Sequence, residues 1–290
     1  MASPRVWFIT GTSSGFGKVM TELALNHGDV VVATLRKPGD LDNLRSEYPS
    51  DKLAILKLDV SKRDEIVAAF EKARQLFGKI DIVFNNAGYG LIGEVEGTDE
   101  EVARRNFDTN FWGSANVTRE ALRFFREVNP PGYGGRLLVT SSECGIQGYP
   151  GYGYYCASKH AVEGLHDSLA KEIDPEWNIK LTLVEPGYFQ TSSMTKVTAN
   201  GAKLPPHPAY TKPTLPSAVM RAWSDSAQVG VGSDPVKGMK KVFELAAMPD
   251  PPLRFPIGAD VIEVFSARSK ALAETVEKFG SYSNNLELDK

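Results

Sequence analysis

The sequence predicts an α/β protein, a doubly wound parallel sheet flanked by helices on both faces, and three observations predict it. Short apolar runs alternate with helical patterns from Arg5 to about Gly187. The runs are nearly continuous in hydrophobic residues, as in strands covered on both faces, and lack the alternation of a half-solvated sheet. The first run passes directly into a glycine-rich turn and a helix, the order that builds a phosphate-binding loop.

The strand candidates, in chain order, are Val6 to Ile9, Val30 to Ala33, Leu53 to Leu56, Ile80 to Phe84, Arg136 to Thr140 and Ile179 to Val184. Arg254 to Ile257 reads as a last strand. Ser61-Lys62-Arg63-Asp64 is a capping pattern ahead of the apolar spacing Ile66, Ala69, Phe70, Ala73. Thr98-Asp99-Glu100-Glu101 opens a long helix towards Glu127, stopped by Asn129-Pro130-Pro131-Gly132. Asp234-Pro235 starts a helix to about Ala247, and a terminal helix begins near Val261. Pro205, Pro206, Pro208, Pro213 and Pro216 crowd a polar stretch. It reads either as a surface linker or as a substrate lid at about 188–233. The lid is preferred, because long irregular segments in compact domains tend to carry function. Residues 281–290 read as a loosely held tail.

With 290 residues, 42% hydrophobic and 24% charged, the chain can bury a sizeable core without disulfides or metals. A net charge of -3 lacks the basic footprint of a nucleic-acid binder. No apolar run reaches the about 18–20 residues of a membrane span, and no signal-peptide core follows Met1. The two cysteines, Cys144 and Cys156, have no metal spacing, which suits a reducing compartment, and the expected location is cytoplasmic. No carboxylate–histidine pattern suggests a metal. His27, His160, His166 and His207 read as structural.

The first run continues as Thr10-Gly11-Thr12-Ser13-Ser14-Gly15-Phe16-Gly17. Glycines allow a tight turn and close approach of a pyrophosphate, and the helix N-terminus offers free N–H groups and a positive dipole end. The spacing is GxxxGxG, and in this form the segment resembles the TGxxxGxG motif of the short-chain dehydrogenase/reductase family. Further motifs of that family follow in order: Asn85-Asn86-Ala87-Gly88, Asn110-Phe111-Trp112-Gly113, Tyr155-Cys156-Ala157-Ser158-Lys159, and Pro186-Gly187 with Thr191. The resemblance covers roughly residues 5 to 260 and is closest to the hydroxysteroid, retinol and carbonyl reductase branch. It implies one Rossmann-type oxidoreductase domain over 1–290. It also implies homodimers or homotetramers built through two long helices, here about 98–128 and 153–173.

Tyr155 and Lys159, four apart, share one helix face. An ammonium beside a phenol favours the phenolate, which lowers the phenol's pKa towards useful proton exchange. The resemblance assigns Tyr155 as proton donor, Lys159 as its partner and a ribose contact, Ser142 as the holder of the substrate oxygen and Asn110 as the holder of a water linked to the lysine. Ser141 is the alternative serine, and Asn110 can instead be a locally satisfied helix residue. The resemblance also assigns cofactor contacts to Asp59, Val60 and Thr191; Asp59 can instead be a turn residue. Cys144 and Cys156 read as small apolar filler, with a reactive thiol as the alternative.

The cofactor is expected to be NADP(H). The acidic residue that selects NAD at the end of the second strand is replaced by Leu35, and Arg36 follows it. Arginine makes charge-assisted contacts to a 2′-phosphate. Asp40 and Asp42 lie close enough to oppose this. Leu91, Cys144, Ile146, Tyr149, Tyr152, Phe189 and Met194 are the pocket candidates, and their apolar, aromatic character points to a bulky hydrophobic ketone or aldehyde. The expected activity is NADPH-dependent carbonyl reduction, reversible. The alternatives are an NAD-linked alcohol dehydrogenase and a non-catalytic NADP(H) sensor.

Overall fold

The apolar runs form seven strands: β1 (Val6–Thr10), β2 (Val30–Leu35), β3 (Leu53–Lys57), β4 (Ile82–Asn85), β5 (Gly135–Thr140), β6 (Ile179–Pro186) and β7 (Arg254–Ile257). The computed structural model describes residues 3–191, 202–226 and 231–288. All neighbouring strands are parallel, in the order β3-β2-β1-β4-β5-β6-β7. This is a Rossmann-type sheet. The chain steps outward from β1 to β3, then reverses to β4, which opens a crevice at the carboxyl ends of β1 and β4.

Among the described residues the helices are α1 (Gly15–Asn26), α2 (Asp42–Glu47), α3 (Arg63–Phe77), α4 (Glu100–Phe107), α5 (Ser114–Arg123), α6 (Gly153–Glu172), α7 (Pro216–Ser226), α8 (Pro235–Leu245) and α9 (Ala259–Phe279). Successive strand side chains point to opposite faces, so the sheet feeds two cores. Trp7, Ile9 and Val31 join residues of α1 and α8 on one face, and Phe8, Val32 and Val83 join α3, α5 and α6 on the other. Phe8 stacks on Phe70 at 4.1 Å and Trp7 on Phe243 at 5.4 Å. The Trp7 indole N–H still finds a partner, the Asp29 carboxylate at 2.9 Å. No described helix is long and apolar enough to cross a membrane.

Two expectations change in detail. Ser61 does not cap α3: Asp59 Oδ1 accepts from both the Ser61 amide and its hydroxyl, at 3.1 and 2.7 Å, and this local turn moves the start of the helix to Arg63. Glu65 reaches back instead to the Asp59 amide at 2.8 Å. The long helix does start at Asp99, whose carboxylate accepts the Glu101 and Val102 amides. It is not regular, however: wide five-residue turns occupy Asp108–Gly113 and Phe124–Val128.

The proline-rich stretch is also more ordered than a linker. The Ile92 amide donates to Ala202 and the Leu204 amide to Ile92, both at 2.8 Å, so the segment lies against the chain after β4. It then makes one tight turn at Pro208–Tyr210 and forms α7. Arg221 on α7 holds it down. Its guanidinium reaches both oxygens of Glu94, at 2.9 and 2.6 Å, and the Leu204 carbonyl at 2.7 Å, with both charged side chains buried. The pair holds the Glu94 carboxyl down at about 2. Arg221→Met leaves Glu94 ionised, buried and unpaired, and is expected to cost about 3–5 kcal/mol of stability near neutral pH, read by urea unfolding. Glu94→Gln with Arg221→Met is expected to recover part of that loss.

Candidate active site

The carboxyl ends of β1 to β6 surround one cavity of about 1340 Å³. Single-ligand pockets run to about 300–1,000 Å³, so this space suits a large cofactor together with a substrate. Its floor is the glycine loop. Gly11 and Gly15 have φ of +73° and +56°, which a side chain tolerates poorly, and a Cβ on Gly11 would lie 2.9 Å from the Ala87 α-carbon. No side chain caps α1, so its first amides are left for an anion. The loop and the uncapped helix fit a dinucleotide pyrophosphate.

The loop is tied to β4 by Thr10. Its hydroxyl accepts the Asn86 and Ala87 amides, both at 2.9 Å, and Asn86 Nδ2 donates to the Thr10 carbonyl at 3.0 Å. Gly11, Ser13, Ser14, Gly15, Phe16, Asn86, Ala87 and Gly88 all line the cavity. Arg36, Asp59, Val60, Pro186, Gly187 and Thr191 line it too. Thr12 and Gly17 stand behind the wall: the Thr12 hydroxyl donates to the Thr34 carbonyl at 3.1 Å, and Gly17 lies under the Gly11 carbonyl. Asp59 reaches the cavity while its carboxylate holds the Ser61 turn.

Ser142, Tyr155 and Lys159 meet on the opposite wall. The Ser142 hydroxyl accepts the Cys144 amide at 3.2 Å and lies beside the Tyr155 phenol. Ser141, the alternative serine, turns its hydroxyl towards Gly145 and Glu163. Lys159, one turn beyond Tyr155 on α6, has its Nζ 6.0 Å from the Tyr155 ring centre and donates to the Thr140 carbonyl at 2.9 Å. Burial pushes Lys159 down to about 8. Burial also pushes the Tyr155 phenol up, followed by the field of Cys144, while the neighbouring Ser142 pulls the other way. The lowering expected from Lys159 is therefore outweighed, and the phenol stays protonated at neutral pH.

Asn110 does not line the cavity. Its Nδ2 donates to the Tyr89 carbonyl at 3.0 Å and the Ser158 hydroxyl at 3.1 Å, and its Oδ1 accepts the Tyr89 amide at 3.0 Å. The wide turn in the long helix is what aims it there, and the Asn110 and Lys159 side chains both approach Gly88.

Of the pocket candidates, Cys144, Tyr149, Tyr152 and Phe189 line the cavity. Leu91 is buried in a small apolar cluster and Ile146 is not among the lining residues; Met194 lies outside the described residues. Cys144 and Cys156 are buried free thiols close to each other. His166 is buried between Thr118 and the Val162 carbonyl, a structural histidine. Among the described residues no cluster can hold a metal ion.

Several lining residues escaped the sequence. Val219, Met220 and Trp223 arrive on α7, and Asp260 on α9. Glu143 lines the cavity next to Ser142, and burial and Asp260 push its carboxyl up to about 7. Behind α6, Arg254 on β7 joins Glu163 at 2.6 Å, Glu185 at 2.7 Å and Asp167 at 2.6 Å, pinning α6 to the sheet. None of these has a local pattern; each depends on which helix crosses which strand end.

Residues 5–202 match the family of short chain dehydrogenases, and the chain belongs to it. It is an oxidoreductase of that family, whose fold binds nicotinamide cofactors. It is 37% identical over 284 residues to an uncharacterised oxidoreductase of Schizosaccharomyces pombe, covering 97% of this chain and 91% of that one. It is 32% identical over 262 residues to retinol dehydrogenase 8 of Homo sapiens, covering 87% and 81%. The solved structure of a short-chain dehydrogenase from Streptomyces avermitilis superposes with a TM-score of 0.84 at 28% identity, covering 99% of this chain and 100% of that one.

A Cβ at Gly17 would sit 2.4 Å from the Gly11 carbonyl oxygen and 2.8 Å from Asn86 Nδ2. Gly17→Ala is therefore expected to weaken nicotinamide dinucleotide binding about tenfold or more, read by calorimetric titration.

Proposed function

We propose that the protein is an NADPH-dependent reductase of bulky hydrophobic ketones or aldehydes, run reversibly. The observation that carries this reading is the grouping of two hydroxyls, Ser142 and Tyr155, on one cavity wall beside Lys159. When bound, the nicotinamide supplies the hydride. Ser142 holds the carbonyl oxygen, and Tyr155, kept protonated by burial, gives that oxygen its proton. Lys159 offers an ammonium next to the phenolate left behind and a donor for the nicotinamide ribose. Asn110 orders the Gly88–Tyr89 backbone facing Lys159 and holds the water that links to it. A sensor would have no use for this acid and its partners, which favours an enzyme.

Aromatic and apolar walls from Tyr149, Tyr152, Phe189, Met220 and Trp223 support a hydrophobic substrate. The retinol in the name of one relative is in keeping with this. The segment from 202 to 226, with Thr214, Pro216 and Val219 on the cavity, acts as the lid. Exposed Trp112 and Leu165, on the two long helices, support a homodimer or homotetramer formed there.

Tyr155→Phe is expected to lower kcat on a ketone by about 100-fold or more with little change in cofactor affinity, since only the proton donor is lost. A variant retaining a tenth of the wild-type rate removes Tyr155 from the acid's role.

NADPH preference rests on Arg36, which lines the cavity after β2 and forms no ion pair among the described residues, whereas Asp42 faces Arg45. Leu35 is buried and offers nothing to a 2′-hydroxyl. A charged hydrogen bond contributes about 1.5–3 kcal/mol, so kcat/KM is expected to favour NADPH roughly tenfold to hundredfold. Leu35→Asp with Arg36→Ala is expected to shift the preference towards NADH. A wild type that prefers NADH overturns the assignment.

A further inference from the structure

We propose that Glu143 makes this reductase selective for carbonyl compounds that carry a cationic amine a few bonds from the carbonyl carbon. The inference rests on the reductase reading above and names its substrate class.

The position comes first. Glu143 directly follows Ser142, the residue that would hold the carbonyl oxygen, and both line the cavity. Its side chain therefore reaches the substrate's neighbouring atoms, not the cofactor. The strand order separates the two regions. Arg36 follows β2 on one side of the crevice, while Glu143 follows β5 and Asp260 follows β7 on the other.

The charge comes next. Glu143 lies near the Tyr149 phenol, and its charged neighbour is a second carboxylate, Asp260, which lines the same cavity. No described cation lies within ion-pair distance of either carboxylate, although buried carboxylates elsewhere in the chain have arginines. Asp260 uses one oxygen to accept the Tyr188 amide at 2.5 Å, and its other oxygen is buried without a protein partner. A partly buried carboxylate facing another and lacking a cation is costly, and a ligand ammonium relieves that cost. The raised carboxyl of Glu143, near 7, has the same origin. The surrounding aromatics add to the fit. Tyr149, Tyr152 and Trp223 line the same cavity, and aromatic faces attract ammonium groups.

The third argument links Glu143 to the chemistry. Its negative field is one of the influences that keep the Tyr155 phenol protonated. A phenolate left after proton donation meets that field as repulsion. A substrate ammonium beside Glu143 cancels it, so the cation assists the chemical step as well as binding.

The test compares three matched ketones with NADPH at pH 7.5. One has an ammonium on the carbon next to the carbonyl, the others a methyl or a hydroxyl in its place. Wild type is expected to show kcat/KM about tenfold or more higher for the ammonium compound, the effect of one charged hydrogen bond. Glu143→Gln is expected to collapse that ratio, and Glu143→Asp to retain part of it. In parallel, binding of the corresponding three alcohols with NADPH present is followed by tryptophan fluorescence, which needs no turnover.

Equal rates for the methyl and ammonium ketones overturn the inference and leave the reductase reading standing. So does a hydroxyl compound as good as the ammonium one, or a preference that survives in Glu143→Gln. If no ketone is reduced but the ammonium alcohol binds more tightly in a Glu143-dependent way, the reductase reading falls and the cation site stands. If no ketone is reduced and the alcohols bind alike, both fall.

Discussion

Two strand ends, β1 and β4, lie side by side where the sheet reverses direction, and the Thr10 hydroxyl holds them together by accepting two amides from the chain after β4. That junction positions the glycine loop against Ala87 and Asn86 with no room for a side chain at Gly11 or Gly17. The cofactor cradle and the route of the chain towards Tyr89 and Asn110 both follow from it. The asparagine-rich motif after β4 is thus a structural clamp before it is a contact for any ligand.

Buried charges hold the other walls in place. Arg254 ties α6 to β6 and β7, and Arg221 ties α7 to the loop carrying Glu94. Buried ion pairs are poor sources of net stability, but removal of one partner is expensive. They therefore act as register devices: each permits one placement of a helix over the sheet. The helix that carries Tyr155 and Lys159 and the proposed lid are the helices placed in this way.

Burial also decides how Tyr155 and Lys159 are poised. The protein packed around them disfavours the charged form of each. Spacing along a helix says that a phenol and an ammonium are close; it says nothing about the dielectric in which they meet. The expected lowering of the phenol pKa came from the pair alone, and the reversal comes from everything packed around it.

The sequence by itself determined the sheet, its seven strands nearly to the residue, the glycine loop and the adjacency of Tyr155 and Lys159. Each of these is written in short-range pattern: apolar runs, turn glycines and a helical repeat. Ser142 was legible only by counting from Tyr155. Tertiary structure decided which of two adjacent serines faces the phenol, that Asn110 turns inward at a wide helical turn, and that Cys144 meets Cys156. It also decided that Glu143, Trp223 and Asp260 share one cavity. Together these residues span more than a hundred positions of the chain. Their neighbours are chosen by strand order and by buried ion pairs between distant elements, and neither leaves a periodic trace along the chain.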